Sequence, residues 1–127
     1  EQYILSIEME AKLVIDIATT KIFPAAVAYL SNLTSTSSKL SEMGVSLDNT
    51  GVEVVASEAN AMMVSVGQLK TVLEKHDFGS EEEHMKHCSD VLCKLMLEVR
   101  KYADALEGLV DDELWPLAKY QEMLFIK

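Results

Sequence analysis

Residues 80–107 read SEEEHMKHCSDVLCKLMLEVRKYADALE, and this stretch decides the fold. Ser80 followed three residues later by Glu83 is a capping box, in which the Ser hydroxyl accepts from the amide of Glu83 and the Glu side chain returns to the cap. Glu81, Glu82 and Glu83 place negative charge at a helix N-terminus, where the peptide dipoles favour it. Beyond the cap, Met85, Cys88, Leu92, Leu95, Val99, Tyr102, Leu106 and Leu109 recur at spacings of three and four. Val91, Met96, Ala103 and Val110 form a second row beside them. An apolar face that wide touches two neighbours, so the stretch reads as the central packing helix of an α-helical core.

Upstream, His76-Asp77-Phe78-Gly79 turns the chain. Before that turn, Val52, Val55, Ala59, Met62, Val66, Leu69 and Leu73 keep an unbroken alternation of three and four, which predicts a second helix of about 25 residues. Thr50-Gly51-Val52-Glu53 is its capping box, and Gly67 beside the stripe is expected to mark a close helix approach. At the start of the chain Ile4, Ile7, Ala11, Val14 and Ala18, continued by Ile22, Ala25, Tyr29 and Leu33, define another helix. Pro24 removes an amide from its interior and predicts a kink there, because the periodicity resumes at once. Ser35, Ser37, Ser38, Ser41, Gly44, Asp48 and Asn49 compete with helix by local hydrogen bonding, so fraying is expected from Thr34 and a loop up to residue 50. The fold class is all-α: an antiparallel three- to four-helix up-down bundle with a kinked first helix and a docked C-terminal tail. Residues 1–127 form one domain.

Composition agrees. With 49% hydrophobic residues in 127 there is enough apolar surface for one core, and one Trp, four Tyr and three Phe leave the packing to aliphatic side chains. The formal net charge of −10, with Arg100 as the single Arg, leaves no basic stripe to neutralise a nucleic-acid backbone or an anionic membrane. No run of about 20 apolar residues is expected to span a bilayer, and a cytoplasmic location is the reading. Cys88 and Cys93 stand about 140° apart around one helix and cannot bridge each other there, so both are expected as free thiols. Glu1-Gln2-Tyr3 opens within helical pattern, without an initiator Met or a cap, as expected of a fragment of something longer.

Three groups of residues carry possible chemistry. His84, His87 and Cys88, at i, i+3 and i+4, could converge on a metal, but that site needs a further ligand. A partly solvated first turn, with no metal and no catalytic residue, is the expectation. A phosphorylated His of a signalling bundle fits poorly, since Glu81, Glu82 and Glu83 would repel the phosphoryl anion. Glu53, Glu58, Glu74, Asp90, Glu98, Asp104 and Glu107 scatter around the helices as solvated charges, and no Glu-x-x-His on an apolar stripe supports a di-iron site. The seven Met residues read as core filling. Gly-rich phosphate loops, Gly-x-Ser-x-Gly elbows and Cys-x-x-Cys pairs do not occur.

The tail, residues 111–127, is the remaining signal. Trp115, Pro116, Leu117, Tyr120, Met123, Leu124 and Phe125 crowd apolar surface into a terminus, which implies docking, either back onto the bundle or onto a partner.

Asp111-Asp112-Glu113, the Trp115-Pro116-Leu117 step and Tyr120-Gln121-Glu122-Met123-Leu124-Phe125 resemble the C-terminal end of type III glutamine synthetases, a mainly bacterial branch. Tyr3 through Glu10 and Ala18 through Tyr29, with its Ile22-Phe23-Pro24-Ala25, resemble a helix of that family. Val99 through Glu107 resemble its last long helix. Ala118 stands where the family more usually has a second Pro. The resemblance implies a C-terminal helical domain of an enzyme that ligates ammonia to glutamate with ATP and Mg²⁺ or Mn²⁺. Its ligands lie in an upstream catalytic region, so this domain is implied to hold no cofactor and to have an assembly role. The implied partners are that region and neighbouring subunits of a homo-oligomer, with no nucleic acid and no membrane. The competing reading is a free-standing helical interaction module.

Overall fold

A computed structural model describes residues 2–48 and 50–110, and the described residues are helical apart from short connections. Three helices result among them. The first spans Gln2–Glu42, the second Thr50–Leu73 and the third residues 81–107. The tail residues Trp115, Pro116, Leu117, Tyr120, Met123, Leu124 and Phe125 lie outside the described residues.

The first helix absorbs its proline without stopping. Residues Gln2–Ile17 are α-helical, Ala18–Ile22 form a wider π turn in which the amide of Phe23 donates to the carbonyl of Ala18, and Phe23–Glu42 resume the α-helix. A proline at position 24 has no amide for the carbonyl four residues back and its ring would crowd that carbonyl. Widening the preceding turn by one residue relieves both problems. The irregularity expected at Pro24 is thus a π turn one step earlier. It has a local cost: the buried Thr19 hydroxyl has no hydrogen-bond partner among the described residues, while its neighbour Thr20 donates to the carbonyl of Asp16 at 2.6 Å. Thr19→Val keeps the shape and removes the orphan, so we expect unchanged or higher stability, by up to about 1 kcal/mol, in denaturant melts.

The expected fraying between Thr34 and Gly44 does not occur, since the helix continues through Ser35, Ser37, Ser38 and Ser41 to Glu42. Thr34 donates back to the carbonyls of Leu30 and Ser31 at 2.9 and 3.2 Å, a hydrogen bond made within the helix rather than against it. The stop comes at Gly44, whose φ of 81° is left-handed. Its amide bonds Ser41 and that of Val45 bonds Leu40, which closes the last turn with the pair of bonds that a left-handed residue permits.

At the second helix the expected capping box is replaced. The hydroxyl and amide of Thr50 both donate to the Asp48 carboxylate, at 2.7 and 3.0 Å, and these two bonds hold its pKa below the ordinary value. The stripe itself is as read: Val55, Ala59, Met62, Val66 and Leu69 are buried, with Val52 and Leu73 half-buried. Gly67 is different. It is exposed, and a methyl group added there meets nothing within 4 Å, so it marks no close approach. Gly67→Ala is therefore expected to raise stability by about 0.5–1 kcal/mol, through the lost flexibility of the unfolded chain, as thermal melts would show.

Two core clusters hold the helices together. Ile4 and Ala11 of the first helix meet Leu69 of the second and Cys88, Leu92 and Met96 of the third. Ala18, Ile22 and Ala26 meet Val55, Ala59, Met62 and Val66, together with Val99, Leu106 and Val110. The third helix carries its own π turn, Cys88–Leu92, and its buried row runs through Met96 rather than Leu95, while just past the helix Val110 is buried rather than Leu109. Leu95 is half-buried, and Met85 and Leu109 are exposed. The most enclosed large side chains, Met62, Leu69, Leu92 and Leu106, come from the second and third helices alike, so the third is not the sole centre of packing.

The expectation about apolar length is also corrected. The first helix is long and apolar enough, by length and composition, to cross a membrane. Among the described residues, 22% of that apolar window is buried, and the buried positions of the helix include Ala11, Ala18, Ala25 and Ala26.

Candidate functional site

The polar constellation of the fold gathers where the third helix begins. Ser80, with extended backbone (φ −159°, ψ 167°), caps the helix by accepting from the amide of Glu83 at 3.1 Å. Glu83 completes the box one residue earlier than expected, its carboxylate accepting from the amide of Gly79 at 2.9 Å. This ties down the preceding turn. Phe78 then lies against the first helical turn, stacked on His84 with ring centroids 4.2 Å apart and tilted against His87 at 4.9 Å.

The two histidines do different things. His87 Nε2 reaches the carbonyl of Val72 at 3.3 Å; since a carbonyl only accepts, this nitrogen carries the proton and fastens the third helix to the end of the second. His84 Nε2 lies 3.0 Å from Glu8 Oε2, a pair between the third and first helices with both side chains largely enclosed. Cys88, one turn beyond His84, is fully buried at the start of the π turn. The donor atoms of Glu8, His84 and Cys88 all lie within 4.8 Å of one another.

Of the sequence-derived trio His84, His87 and Cys88, the structure therefore keeps His84 and Cys88 together and sends His87 to a backbone carbonyl. Glu8 takes its place. Its only local hint was a carboxylate beside the apolar stripe at Ile7 and Ala11; its partner is 76 residues away, beyond any spacing rule. His84 is occupied by Glu8 and is not a free solvent-facing imidazole of the phosphorylated kind. The carboxylates Glu53, Glu74, Asp90, Glu98 and Asp104 are exposed, with Glu58 and Glu107 half-buried. Among the described residues, none of these seven joins a group with metal-ligand geometry.

Cys88 and Cys93 are both free thiols. Burial pushes the Cys88 thiol above its ordinary value, and the negative charge of Glu8 and the neighbouring Cys93 push the same way. A thiol with a raised folded-state pKa holds its proton when the unfolded one has lost it. Its contribution to stability is thus complete below the ordinary thiol value of 9.0 and declines as pH rises above it. We expect Cys88→Ala to flatten the alkaline fall in melting temperature relative to the parent.

With the site in view, the chain can be compared with known proteins. The family model of the glutamine synthetase C-terminal domain matches residues 1–41, which is the first helix with its π turn and Pro24. A type-3 glutamine synthetase of Dictyostelium discoideum is 29% identical over an alignment covering 100% of this chain and 18% of that protein. A glutamine synthetase of Bacteroides fragilis (strain YCH46) is 24% identical, covering 100% of this chain and 19% of its own length. No solved structure matches. The resemblance to glutamine synthetases thus extends from end to end of the chain, which spans less than a fifth of those relatives, and the match to the C-terminal-domain model covers residues 1–41.

Proposed function

We propose that this chain serves a type III glutamine synthetase as its C-terminal helical domain, contributing to assembly and to the cover of the catalytic region rather than to the chemistry. The observation that carries this is the alignment of the whole chain with two glutamine synthetases. In the parent enzyme, ammonia would be ligated to glutamate at the expense of ATP. The nucleotide, glutamate and Mg²⁺ or Mn²⁺ would be held by an upstream region, in the cytoplasm.

The arrangement that suits this role is an up-down-up bundle. It is supported by the order in which the clusters use the chain, early first-helix residues with Leu69 and Leu92, late ones with Val55 and Leu106. Tail residues Trp115, Pro116, Leu117, Tyr120, Met123, Leu124 and Phe125 dock on the catalytic region or on a neighbouring subunit of a homo-oligomer. Leu5, Met9 and Leu13 of the first helix, between 56% and 68% exposed, offer a further apolar face for such contact.

Two measurements test the reading. In sedimentation velocity, deletion of residues 111–127 from the full-length enzyme should break the oligomer, while the 127-residue chain with the same deletion melts almost unchanged. A tail that instead folds back on its own bundle would cost the isolated chain several kcal/mol, since removing one core Trp costs about 3–5 kcal/mol. A deletion without either effect sinks the assembly role. In calorimetry the 127-residue chain should bind neither ATP nor glutamate, and saturable micromolar ATP binding would overturn the assignment of chemistry to an upstream region.

A further inference from the structure

We propose that Glu8, His84 and Cys88 form a three-ligand site for a divalent cation of zinc's class, bridging the first and third helices. The donor set is one carboxylate oxygen, one imidazole nitrogen and one sulfur, a hard, a borderline and a soft ligand together, which suits zinc and, through its nitrogen and sulfur, disfavours magnesium and calcium. Its source in the chain is equally suited. His84 and Cys88 are four residues apart, one above the other on the same helix face, and Glu8 approaches from another helix, so the three donors converge instead of lining a strip.

The distances are close to what coordination requires. Bond lengths of about 2.0–2.3 Å in a tetrahedron put neighbouring donors about 3.3–3.8 Å apart. The three donors here already fall within 4.8 Å, with His84 Nε2 and Glu8 Oε2 at 3.0 Å, so adjustments of about 1 Å within side-chain reach complete the set. In the metal-free protein a hydrogen bond joins His84 to Glu8; the cation takes the place of the proton between these two atoms, and that proton passes to His84 Nδ1 or leaves to solvent. Cys88 binds as thiolate and releases its proton to solvent. The carboxylate and thiolate then balance the two positive charges, which is how a cation becomes tolerable beside a fully buried sulfur.

Access and the remaining coordination position come from the same side. An open depression of about 480 Å³ is lined by Ile4, Glu8, His76, Phe78, Glu81 and His84. A site with three protein ligands leaves a fourth position for water or for a group from outside, and this depression leads to Glu8 and His84. Phe78, stacked on His84, fixes the ring's plane, and the π turn starting at Cys88 sets the sulfur within reach of Glu8.

Cobalt(II) is the probe, because a thiolate ligand gives a charge-transfer band in the near ultraviolet and tetrahedral geometry gives strong visible bands. The full chain, reduced and freed of metal with chelator, is titrated with Co²⁺ alongside C88S, H84A, E8Q and C93S, each checked for helical content by circular dichroism. We expect a charge-transfer band saturating at one Co²⁺ per chain. It should be absent in C88S, intact in C93S, and need at least tenfold more Co²⁺ in H84A and E8Q. Proton release should accompany binding in the parent and fall in C88S. Metal bound elsewhere in a longer chain cancels in the difference between the parent and C88S. No charge-transfer band in the parent at millimolar Co²⁺, or a band that survives C88S, would overturn the site and leave a His–Glu pair beside a core thiol. If C88S does not fold, unchanged cobalt affinity in both H84A and E8Q overturns it equally.

Discussion

Replacing Leu106 with Ala is expected to lower the unfolding free energy by about 2–5 kcal/mol, among the largest effects of any single truncation in this chain. Leu106 is fully enclosed and sits in the cluster that joins all three helices, against Ala26, Val55 and Val99 among others. Truncation there removes three carbon atoms from contact and leaves a cavity among side chains of all three helices, which cannot close in independently of one another. Leu109, three residues further on, is the control. It is 36% exposed, so Leu109→Ala should cost less than about 1 kcal/mol. Urea melts of the two variants check the pair, and similar midpoints would mean that the third helix is rotated from the face described.

That contrast shows where sequence pattern was a sufficient guide and where it was not. In the second helix nothing interrupts the α-helical repeat, and the stripe from Val55 to Leu69 is the buried row. In the third helix two apolar rows lie side by side, and the buried residues draw on both: Leu92, Val99 and Leu106 from one, Met96 and, just past the helix end, Val110 from the other. A strict alternation of three and four selects Leu95 and Leu109; the structure buries Met96 and Val110. Either row could serve as the core face, so spacing alone did not decide between them. The Ser-rich end of the first helix misled for another reason. Propensity favoured fraying, but back-bonding by Thr34 and the stop at Gly44 allow the helix to continue.

The candidate site was half legible. A His and a Cys four residues apart on a capped helix are visible in the sequence, and the cap at Ser80 is where the pattern placed it. What spacing could not supply was the third residue. Glu8 reaches His84 only because the first helix lies alongside the third, so their juxtaposition belongs to packing rather than to any local motif. Packing also dismissed His87, by offering it the carbonyl of Val72 near the end of the second helix, which also accepts from the amide of Lys75 at 3.3 Å. The resemblance to type III glutamine synthetases, by contrast, was carried by short runs such as Ile22-Phe23-Pro24-Ala25. The family match over residues 1–41 contains that run and the π turn that accommodates its proline.

The small residues of the first helix give the second large prediction. Ala11, Ala18 and Ala26 have no exposed surface, and Ala26 shares a cluster with Ala59 of the second helix and Leu106 of the third. Alanine at such points does not fill space; it allows helix backbones to approach, and the distance so set decides how Met62 and Val66 pack beside it. Ala26→Leu adds three carbons where none fit, so side chains must leave their preferred rotamers or the helices must separate. We expect a loss of about 1–3 kcal/mol, read as a lower urea midpoint. Val27→Leu is the informative control, because it enlarges an aliphatic side chain on the same helix without entering the core. Val27 is the next residue in the chain but 46% exposed, and enlarging it should change stability by less than about 0.5 kcal/mol. If Ala26→Leu is as harmless as Val27→Leu, the first helix does not approach its neighbours through its alanines, and the contact that orders the first helix against the other two must lie elsewhere on its surface.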